Sequence, residues 1–256
     1  MLQIRTDQIQ RLESPDFLGF ETRYLVHVRQ TFGGRARLLS DDELREAYGI
    51  LRQRAERHGF RSGRDVGLFI DYALMIGAGF DRDPLLPWAR LILEDRVPRR
   101  ARRLFDGVTE HLDRFVRGHM VFPILPVGRL RRTPCVAFDD HAPTAFGEHD
   151  ARVLCRELWP TRANALDEPA WRAFSAAVAE EAQPLGLATP AGLALLTALC
   201  FVLGIEVARD PMLPMLAKVF DRERCRGRPD LMRIRGVVRE TIDKVIPSAS
   251  GRRGHR

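Results

Sequence analysis

The residue types that could hold a metal ion are concentrated in one stretch of this sequence. Residues 139–141 are Asp-Asp-His and residues 148–150 are Glu-His-Asp. The two histidines stand eight positions apart, which matches no recognised ligand spacing, and acidic residues at 148–150 suit the first turn of a helix. We therefore interpret this stretch as leading into a helix, and the sequence predicts neither a metal site nor a cofactor.

Residues suited to enzymatic chemistry do not form a known motif. The nucleophile motif G-x-S-x-G, the P-loop, the zinc motif H-E-x-x-H and the dinucleotide motif G-x-G-x-x-G are absent from the sequence. His27, His58 and His111 stand alone in helical patterns, where solvated or packing roles are more common than catalytic ones. Adjacent carboxylates such as Asp41 and Asp42 point in different directions on a helix, which is poor geometry for acid–base catalysis. The expectation is a protein that is not an enzyme and has no catalytic residues.

Positive charge is concentrated in the middle of the chain. The whole sequence of 256 residues has a net charge of +7, and residues 96–132 alone hold ten arginines against three acidic residues. Such a segment could follow a nucleic-acid backbone, attract an acidic protein, or form a solvated face. It lacks the interleaved aromatic residues of a single-strand binder and any recognition-helix module, which argues against nucleic acid. The candidate partner-binding residues are Arg96, Arg99, Arg100, Arg102, Arg103, Arg129, Arg131 and Arg132.

The sequence predicts a cytoplasmic protein without a membrane segment. The longest uncharged apolar run, residues 191–205, is shorter than the roughly 18–20 residues that span a bilayer. The first residues lack the apolar core of a secretory signal. Four widely spaced cysteines give no disulfide framework and no zinc pattern.

The elements that position these side chains repeat within the chain. Residues 32–95 align with residues 159–222 at a constant offset of 127, without a gap and with thirteen identical pairs. Helix-start signals also align, because Ser40 and Asp167 each precede a stripe of apolar residues at helical spacing. Helix-end signals align in the same way at Gly59 and Gly186. The next helix begins after a capping residue at Ser62 or Thr189 and ends at Gly77 or Gly204.

We expect an all-α fold made of two divergent copies of a unit of about five helices, packed together. Copy one covers residues 1–117 and copy two covers residues 146–246. Residues 118–145 form a basic connector that contains several prolines and β-forming residues, so we expect it to be extended, with a small hairpin as one alternative. Residues 247–256 are interpreted as a disordered basic tail.

The sequence Arg-Asp-Pro-x-Leu-Pro occurs in both copies and is interpreted as a structural motif. A helix could begin at Pro84 with Asp83 as its cap, or at Pro87 after a turn at Pro84. Proline is best tolerated at the first helical position, which favours Pro87. Asp83 would then accept hydrogen bonds from nearby backbone N–H groups. Trp88 is expected to begin a buried stripe with Leu91 and Ile92. The corresponding motif residues in copy two are Asp210, Pro211 and Pro214.

One predicted helix is apolar on every side. The segment PAGLALLTALCFVLGI, which begins at Pro190, contains no charged residue. A helix of this kind must be covered on more than one side. It is either the central helix where the two copies pack together or part of a groove for a helix of a partner.

Roughly the first 105 residues resemble a group of small helical bacterial proteins encoded beside type VI secretion genes, near effectors, spike-tip proteins and their adaptors. The resemblance lies in MLQIRTDQIQRL, in FETRYLVHVRQTF, in the long helical segment that begins LSDDELREAYGI, and in DPLLPWARLILED. Copy two departs from this pattern, because Met215 replaces Trp88 and Val207 replaces Phe80.

The resemblance implies a non-enzymatic adaptor or co-chaperone that binds a secreted effector, a spike-tip protein or a chaperone. Three alternatives remain open. The protein could be an immunity protein that neutralises a cognate toxin, a nucleic-acid-binding protein that uses the arginine-rich segment, or an enzyme with a polar concave site.

Overall fold

The computed structural model describes residues 17–32, 36–95, 100–115, 124–133, 135, 145–226 and 229–245. Within these residues the fold is all-α, with twelve α-helices, one 3-10 helix at Val207–Arg209 and no strand. The helices are α1 (Phe17–Thr31), α2 (Asp41–Arg57), α3 (Gly63–Ile76), α4 (Pro87–Glu94), α5 (Arg100–Phe115), α6 (Ile124–Leu130), α7 (Glu148–Leu158), α8 (Pro160–Ala163), α9 (Glu168–Ala182), α10 (Pro190–Leu203), α11 (Pro214–Cys225) and α12 (Leu231–Val245). We call α1–α5 the N-terminal half and α7–α12 the C-terminal half.

The predicted extended connector is wrong for residues 124–130, which form α6. Pro126 is the third residue of this helix. A backbone N–H at this position has no acceptor within the helix, so proline costs no helical hydrogen bond there. Val127 and Leu130 are buried, and α6 packs against α7 and α10. Burial of these two side chains on one face thus outweighs the extended tendency of the local sequence. Most of the remaining connector and the predicted tail lie outside the described residues.

Helices α2 and α9 begin at capping side chains and end near glycines where the sequence predicts. Ser40 and Glu43 form a reciprocal capping box, in which the Ser40 hydroxyl accepts from the Glu43 N–H at 3.2 Å. The Asp167 carboxylate accepts from the N–H at the third position of α9 at 2.9 Å. Gly59 and Gly186 follow α2 and α9 with φ of +82° and +69°, which only glycine adopts without strain.

The Arg-Asp-Pro-x-Leu-Pro motif builds a tight turn before a helix at both of its positions. Pro87 is the first residue of α4 and Pro214 is the first residue of α11, as predicted. The side chains of Asp83 and Asp210 each accept a hydrogen bond from the N–H two residues later, at 2.8 Å in both turns. The turn is therefore fixed by its own aspartate, in agreement with the prediction.

The predicted buried stripe on α4 is wrong in one respect. Leu91 is 67% exposed, whereas Ala89 and Leu93 are the buried residues of this helix. Trp88 and Ile92 are half-buried. The buried face of α4 therefore runs through Ala89 and Leu93, one turn apart, and leaves the Trp88 side partly open.

The apolar helix α10 is covered mainly by its own half of the molecule. None of its residues is exposed, and it packs against α6, α7 and α9. Its C-terminal end, rather than its length, meets the N-terminal half, where Leu203 and Gly204 lie against Ile76 and Gly77. Because no side of α10 is open, it offers no groove to a helix of a partner.

The two halves meet where α3 and α10 end, along two loops that we call the seam (residues 76–83 and 203–210). A Cβ atom on Gly77 would lie 2.5 Å from the Leu203 carbonyl oxygen. A Cβ atom on Gly204 would lie 3.2 Å from the Ile76 carbonyl oxygen. Both glycines also have positive φ, +106° and +102°. Backbone thus contacts backbone at the seam, and glycine at these two positions permits it.

The aspartates of the two turns extend across the seam toward the opposite half. Asp210 Oδ2 accepts from the Ala78 N–H at 3.5 Å. The Ile205 N–H faces the Asp83 carboxylate, although Asp83 Oδ2 has no hydrogen bond of regular geometry. Ala78 and Ile205 are 127 residues apart, as are Asp83 and Asp210. The contacts at the seam therefore involve residue pairs related by the same offset of 127.

An ion cluster adds charged contacts at the seam. Arg54 binds Asp81 of the same half at 2.5 Å and Glu206 of the opposite half at 2.7 Å. His58 Nε2 lies 2.8 Å from Asp81, and Arg82 reaches Glu206 at 3.1 Å. Burial raises the pKa of Asp81, but the hydrogen bonds from His58 and Arg54 outweigh it and hold this pKa below its usual value.

The seam predicts the effect of a single methyl group. Gly77→Ala should lower the free energy of unfolding by about 2 kcal/mol or more, because a backbone of φ +106° and ψ +144° is nearly restricted to glycine and costs other residues about 1–3 kcal/mol before the clash with Leu203 is added. Gly49→Ala is the matched control, since a Cβ atom there meets nothing within 4 Å in the interior of α2. The control should gain about 0.5–1 kcal/mol. Urea unfolding measures the stability of both variants, and equal stability would contradict the close backbone contact at the seam.

Candidate functional site

A cleft of about 580 Å³ lies between the two halves. Its floor comes from the turn before α4 and from α4 itself, one wall comes from α5, and the other comes from α8 and the segment leading into α9. The Asp-Pro turn and the seam together set the distance between these walls. The lining residues are Pro84, Leu85, Pro87, Trp88, Ile92, Arg103, Asp106, Gly107, Glu110, His111, Arg114, Phe115, Arg162, Ala165, Leu166, Asp167 and Ala170.

Aromatic side chains form the inner surface of the cleft. The Trp88 indole lies against α5 at Gly107, where a Cβ atom would come 2.6 Å from the ring. The His111 ring is centred 6.2 Å from the Trp88 ring and 5.0 Å from the Phe115 ring. The Trp159 indole N–H donates to the Phe115 carbonyl at 3.2 Å and so ties the end of α5 to the C-terminal half.

A buried arginine lies at the base of the cleft. Arg162 is only 5% exposed, and its Nη1 donates to the Phe201 carbonyl at 2.7 Å. Its guanidinium carbon lies 5.2 Å from the centre of the Trp159 ring. The closest carboxylate oxygen, Asp83 Oδ2, is 3.8 Å from Nη2, which is too long for a hydrogen bond.

The two buried charges at the base are therefore incompletely satisfied. Within the described residues, Arg162 Nε and Asp83 Oδ2 have no hydrogen-bond partner of regular geometry. Burial lowers the pKa of Arg162 and raises the pKa of Asp83, and the attraction between the two charges opposes both shifts. Arg162 lines the cleft, whereas Asp83 lies behind it among the turn residues. The cleft is consequently bordered by the cation of the pair.

His111 is the second polar group at the base of the cleft. Burial, and then the charge of Arg162, lower the pKa of His111 from 6.5 to about 3. Its imidazole is therefore neutral at neutral pH and offers one N–H donor and one nitrogen acceptor. Neutral imidazole beside a buried guanidinium can orient a hydrogen-bonding group that enters the cleft.

The rim carries both signs of charge. The exposed residues on the cleft side of α5 are Arg103, Asp106, Glu110 and Arg114, two cations and two anions. Arg103 binds Asp95 at 2.6 Å, and Arg102 binds Asp106 at 3.1 Å. The opposite wall adds the exposed carboxylate of Asp167, so the lining as a whole, with Arg162 included, carries three cations and three anions.

The same positions 127 residues later provide an internal comparison. Val237, Val238 and Thr241 stand where the cleft has Glu110, His111 and Arg114. Val238 and Thr241 are buried in the core. The polar groups of the cleft are thus not required by this helix arrangement, since α11 and α12 pack without them.

A salt bridge between the halves is a further difference between the cleft and the positions 127 residues away. Lys218 Nζ and Glu43 Oε1 lie 2.6 Å apart and join α11 to α2. The residues 127 positions away from this pair are Leu91 and Ala170, which cannot form a salt bridge. The cleft side has no bond between the halves at this position.

Most of the arginines selected from the sequence contact their own protein. Arg100 donates to the His58 carbonyl at 2.7 Å and so binds the end of α2. Arg129 donates to the Leu158 carbonyl at 3.3 Å, and Arg131 binds Asp243 at 3.0 Å. Arg102 and Arg132 are exposed, and Arg103 lies on the rim of the cleft. Arg96 and Arg99 lie outside the described residues.

These arginines belong to two separate helices. Arg100, Arg102 and Arg103 are on α5, whereas Arg129 is on α6, followed directly by Arg131 and Arg132. The first group contacts the N-terminal half and the second contacts the C-terminal half. Sequence reasoning did not select His111 or Arg162 as site residues. The one available signal was that Arg162 and Asp83 each recur 127 positions away, at Arg35 and Asp210.

The neutral state of His111 predicts a pH dependence of stability. In the unfolded chain His111 takes up a proton below about pH 6.5, but in the folded chain it does so only near pH 3. The free energy of unfolding therefore falls as the pH is lowered through this window. His111→Gln should reduce the slope of unfolding free energy against pH by about 1.4 kcal/mol per unit between about pH 4 and 6. Urea unfolding at several pH values tests this, with exposed His149→Gln as the matched substitution. An unchanged slope in His111→Gln would contradict the burial of a neutral imidazole.

Searches for other kinds of site and for relatives give no positive result. In the described ranges no group of three or more His, Cys, Asp or Glu could hold a metal ion, and the stretch at 139–141 lies outside them. No helix in the described part of the chain is long and apolar enough to cross a membrane. The chain matches no protein-family model, no curated protein and no solved structure.

Proposed function

We propose that this protein is a non-enzymatic adaptor or co-chaperone that binds a partner protein in the cleft. The observation that carries the proposal is the contrast between the cleft and the positions 127 residues later. His111 and Glu110 border an open space, whereas Val238 and Val237 at the later positions are apolar. Polar and aromatic groups that the fold does not need, placed in a concave site, are typical of binding sites.

Matching backbone geometry at positions 127 residues apart supports a tandem duplication as the origin of the two halves. Leu86 and Leu213 precede α4 and α11 with nearly identical torsions, φ −126° and ψ 52° against φ −126° and ψ 59°. Gly77 and Gly204 likewise agree within a few degrees in φ. In the proposal, two equivalent surfaces arose with the duplication, and one of them kept or gained a binding role.

The resemblance of the first 105 residues supports a partner from a type VI secretion system. In this proposal the partner is a secreted effector, a spike-tip protein or a chaperone, and the protein acts in the cytoplasm. The motif that carries part of the resemblance, DPLLPW, also lines the cleft through Pro84, Leu85, Pro87 and Trp88. A role of this motif in partner binding would link the resemblance to the site.

The arginines contribute to this proposal at the edge of the cleft. Arg103 and Arg114 lie on its rim, and Arg102 directly precedes Arg103 on α5. Arginine is enriched at protein interfaces because its long side chain combines apolar contact with hydrogen bonding. Arg100 and Arg129 are assigned a structural role, since their guanidinium groups bind backbone carbonyls of this chain.

Co-expression with the products of neighbouring genes tests the proposal. Ala165 is exposed and lines the cleft, so Ala165→Trp should fill it and weaken partner binding at least about tenfold. Ala173→Trp is the matched control, because Ala173 is exposed on α9 and does not line the cleft. Calorimetric titration of purified partner against the three forms gives the comparison.

Three outcomes separate the candidate functions. Loss of binding in Ala165→Trp alone, with the bound effector still active, supports an adaptor. Loss of the partner's toxic activity on binding would instead indicate an immunity protein. Equal binding by all three forms, or no complex with any neighbouring product, would contradict the cleft as the adaptor site.

A further inference from the structure

The apolar floor of the cleft indicates the first requirement on its occupant. Pro87, Trp88, Ile92 and Leu166 provide apolar surface around one concave space. In the internal counterpart, the positions of His111 and Phe115 are taken by Val238 and the buried Ile242. These two aliphatic side chains belong to the core of the C-terminal half. A bulky apolar side chain from outside is the occupant that this floor fits.

The base of the cleft adds an electrostatic requirement. The four rim charges on α5 cancel, and the carboxylate of Asp167 is held by the N–H of Ala170 as the cap of α9. Arg162 is the buried charged group at the base that borders the cleft, and among the described residues its Nε has no hydrogen-bond partner. Its own counter-ion, Asp83, is 3.8 Å away and outside the cleft lining. An acceptor carrying negative charge fits this position.

His111 is the other polar group at the base of the cleft. After burial, the cause that lowers the pKa of His111 is the charge of Arg162. The field of the arginine therefore reaches the side chain that forms the adjacent part of the wall. A carboxylate placed there would be stabilised by the guanidinium and could accept a hydrogen bond from the neutral imidazole.

We infer that the cleft recognises a short peptide segment of the partner in which a bulky apolar side chain is close to a carboxylate. The apolar side chain lies on Trp88 and Ile92, and the carboxylate is directed toward Arg162 and His111. This inference rests on the proposed function, because it specifies the chemistry of the segment that the adaptor binds. One such segment is bound per chain, since Val238 and Ile242, at the positions equivalent to His111 and Phe115, are apolar and buried.

Selection from a phage-displayed library of random peptides tests this inference. The full chain is the target, and the Ala165→Trp variant is used for counter-selection, so that only cleft-dependent peptides are kept. The expected peptides carry Leu, Ile, Met or Phe within three positions of Asp or Glu. Changing that acid to its amide in a synthetic peptide should weaken binding about tenfold. The change is made in the peptide, so the folding of the protein is unaffected.

The possible results distinguish this inference from the proposed function. Cleft-dependent peptides that lack an acidic residue, or that lose less than about twofold on Glu→Gln, would overturn the inference and leave the cleft as a protein-binding site. Failure to recover any peptide that distinguishes the native chain from Ala165→Trp would overturn both. Enrichment of basic peptides would show that the rim carboxylates, rather than Arg162, set the preference.

Discussion

Close backbone contact between the two halves is the constraint on which the rest of this structure depends. Where Gly77 and Gly204 meet the ends of α10 and α3, no side chain separates the two backbones. Such a contact leaves the two halves little freedom to shift, because close-packed interiors have low compressibility. The Asp83 and Asp210 turns begin directly beyond this contact, so α4 and α11 start from defined positions.

The cleft is a consequence of this arrangement. The Asp83 turn positions Trp88 against α5, and the same aspartate lies next to Arg162 of the opposite half. The motif therefore fixes a turn and also lines the candidate site. Differences between the halves arise from side chains on a shared framework, with polar groups on one side and apolar groups on the other.

Local features of this fold could be predicted from the sequence, and features that depend on distant contacts could not. Ser40, Gly59 and Asp83 act on backbone groups within a few residues, so their spacing was sufficient. The helix α6 was missed because its formation depends on burial of Val127 and Leu130 against α10. The cleft was missed because His111 and Arg162 are far apart in sequence and come together only through the seam. The arginine-rich segment drew attention by its charge, although Arg100 and Arg129 bind backbone carbonyls of this protein and Arg131 binds one of its carboxylates.

Hydrogen–deuterium exchange of the chain with and without its co-purified partner is the most direct test of the central claim that the cleft is the binding site. The account predicts that protection on binding is concentrated in residues 84–92, 103–115 and 162–170, and that the equivalent residues 211–219 and 230–242 are unchanged. Protection of both sets to the same extent, or protection confined to α6 and α12, would contradict it.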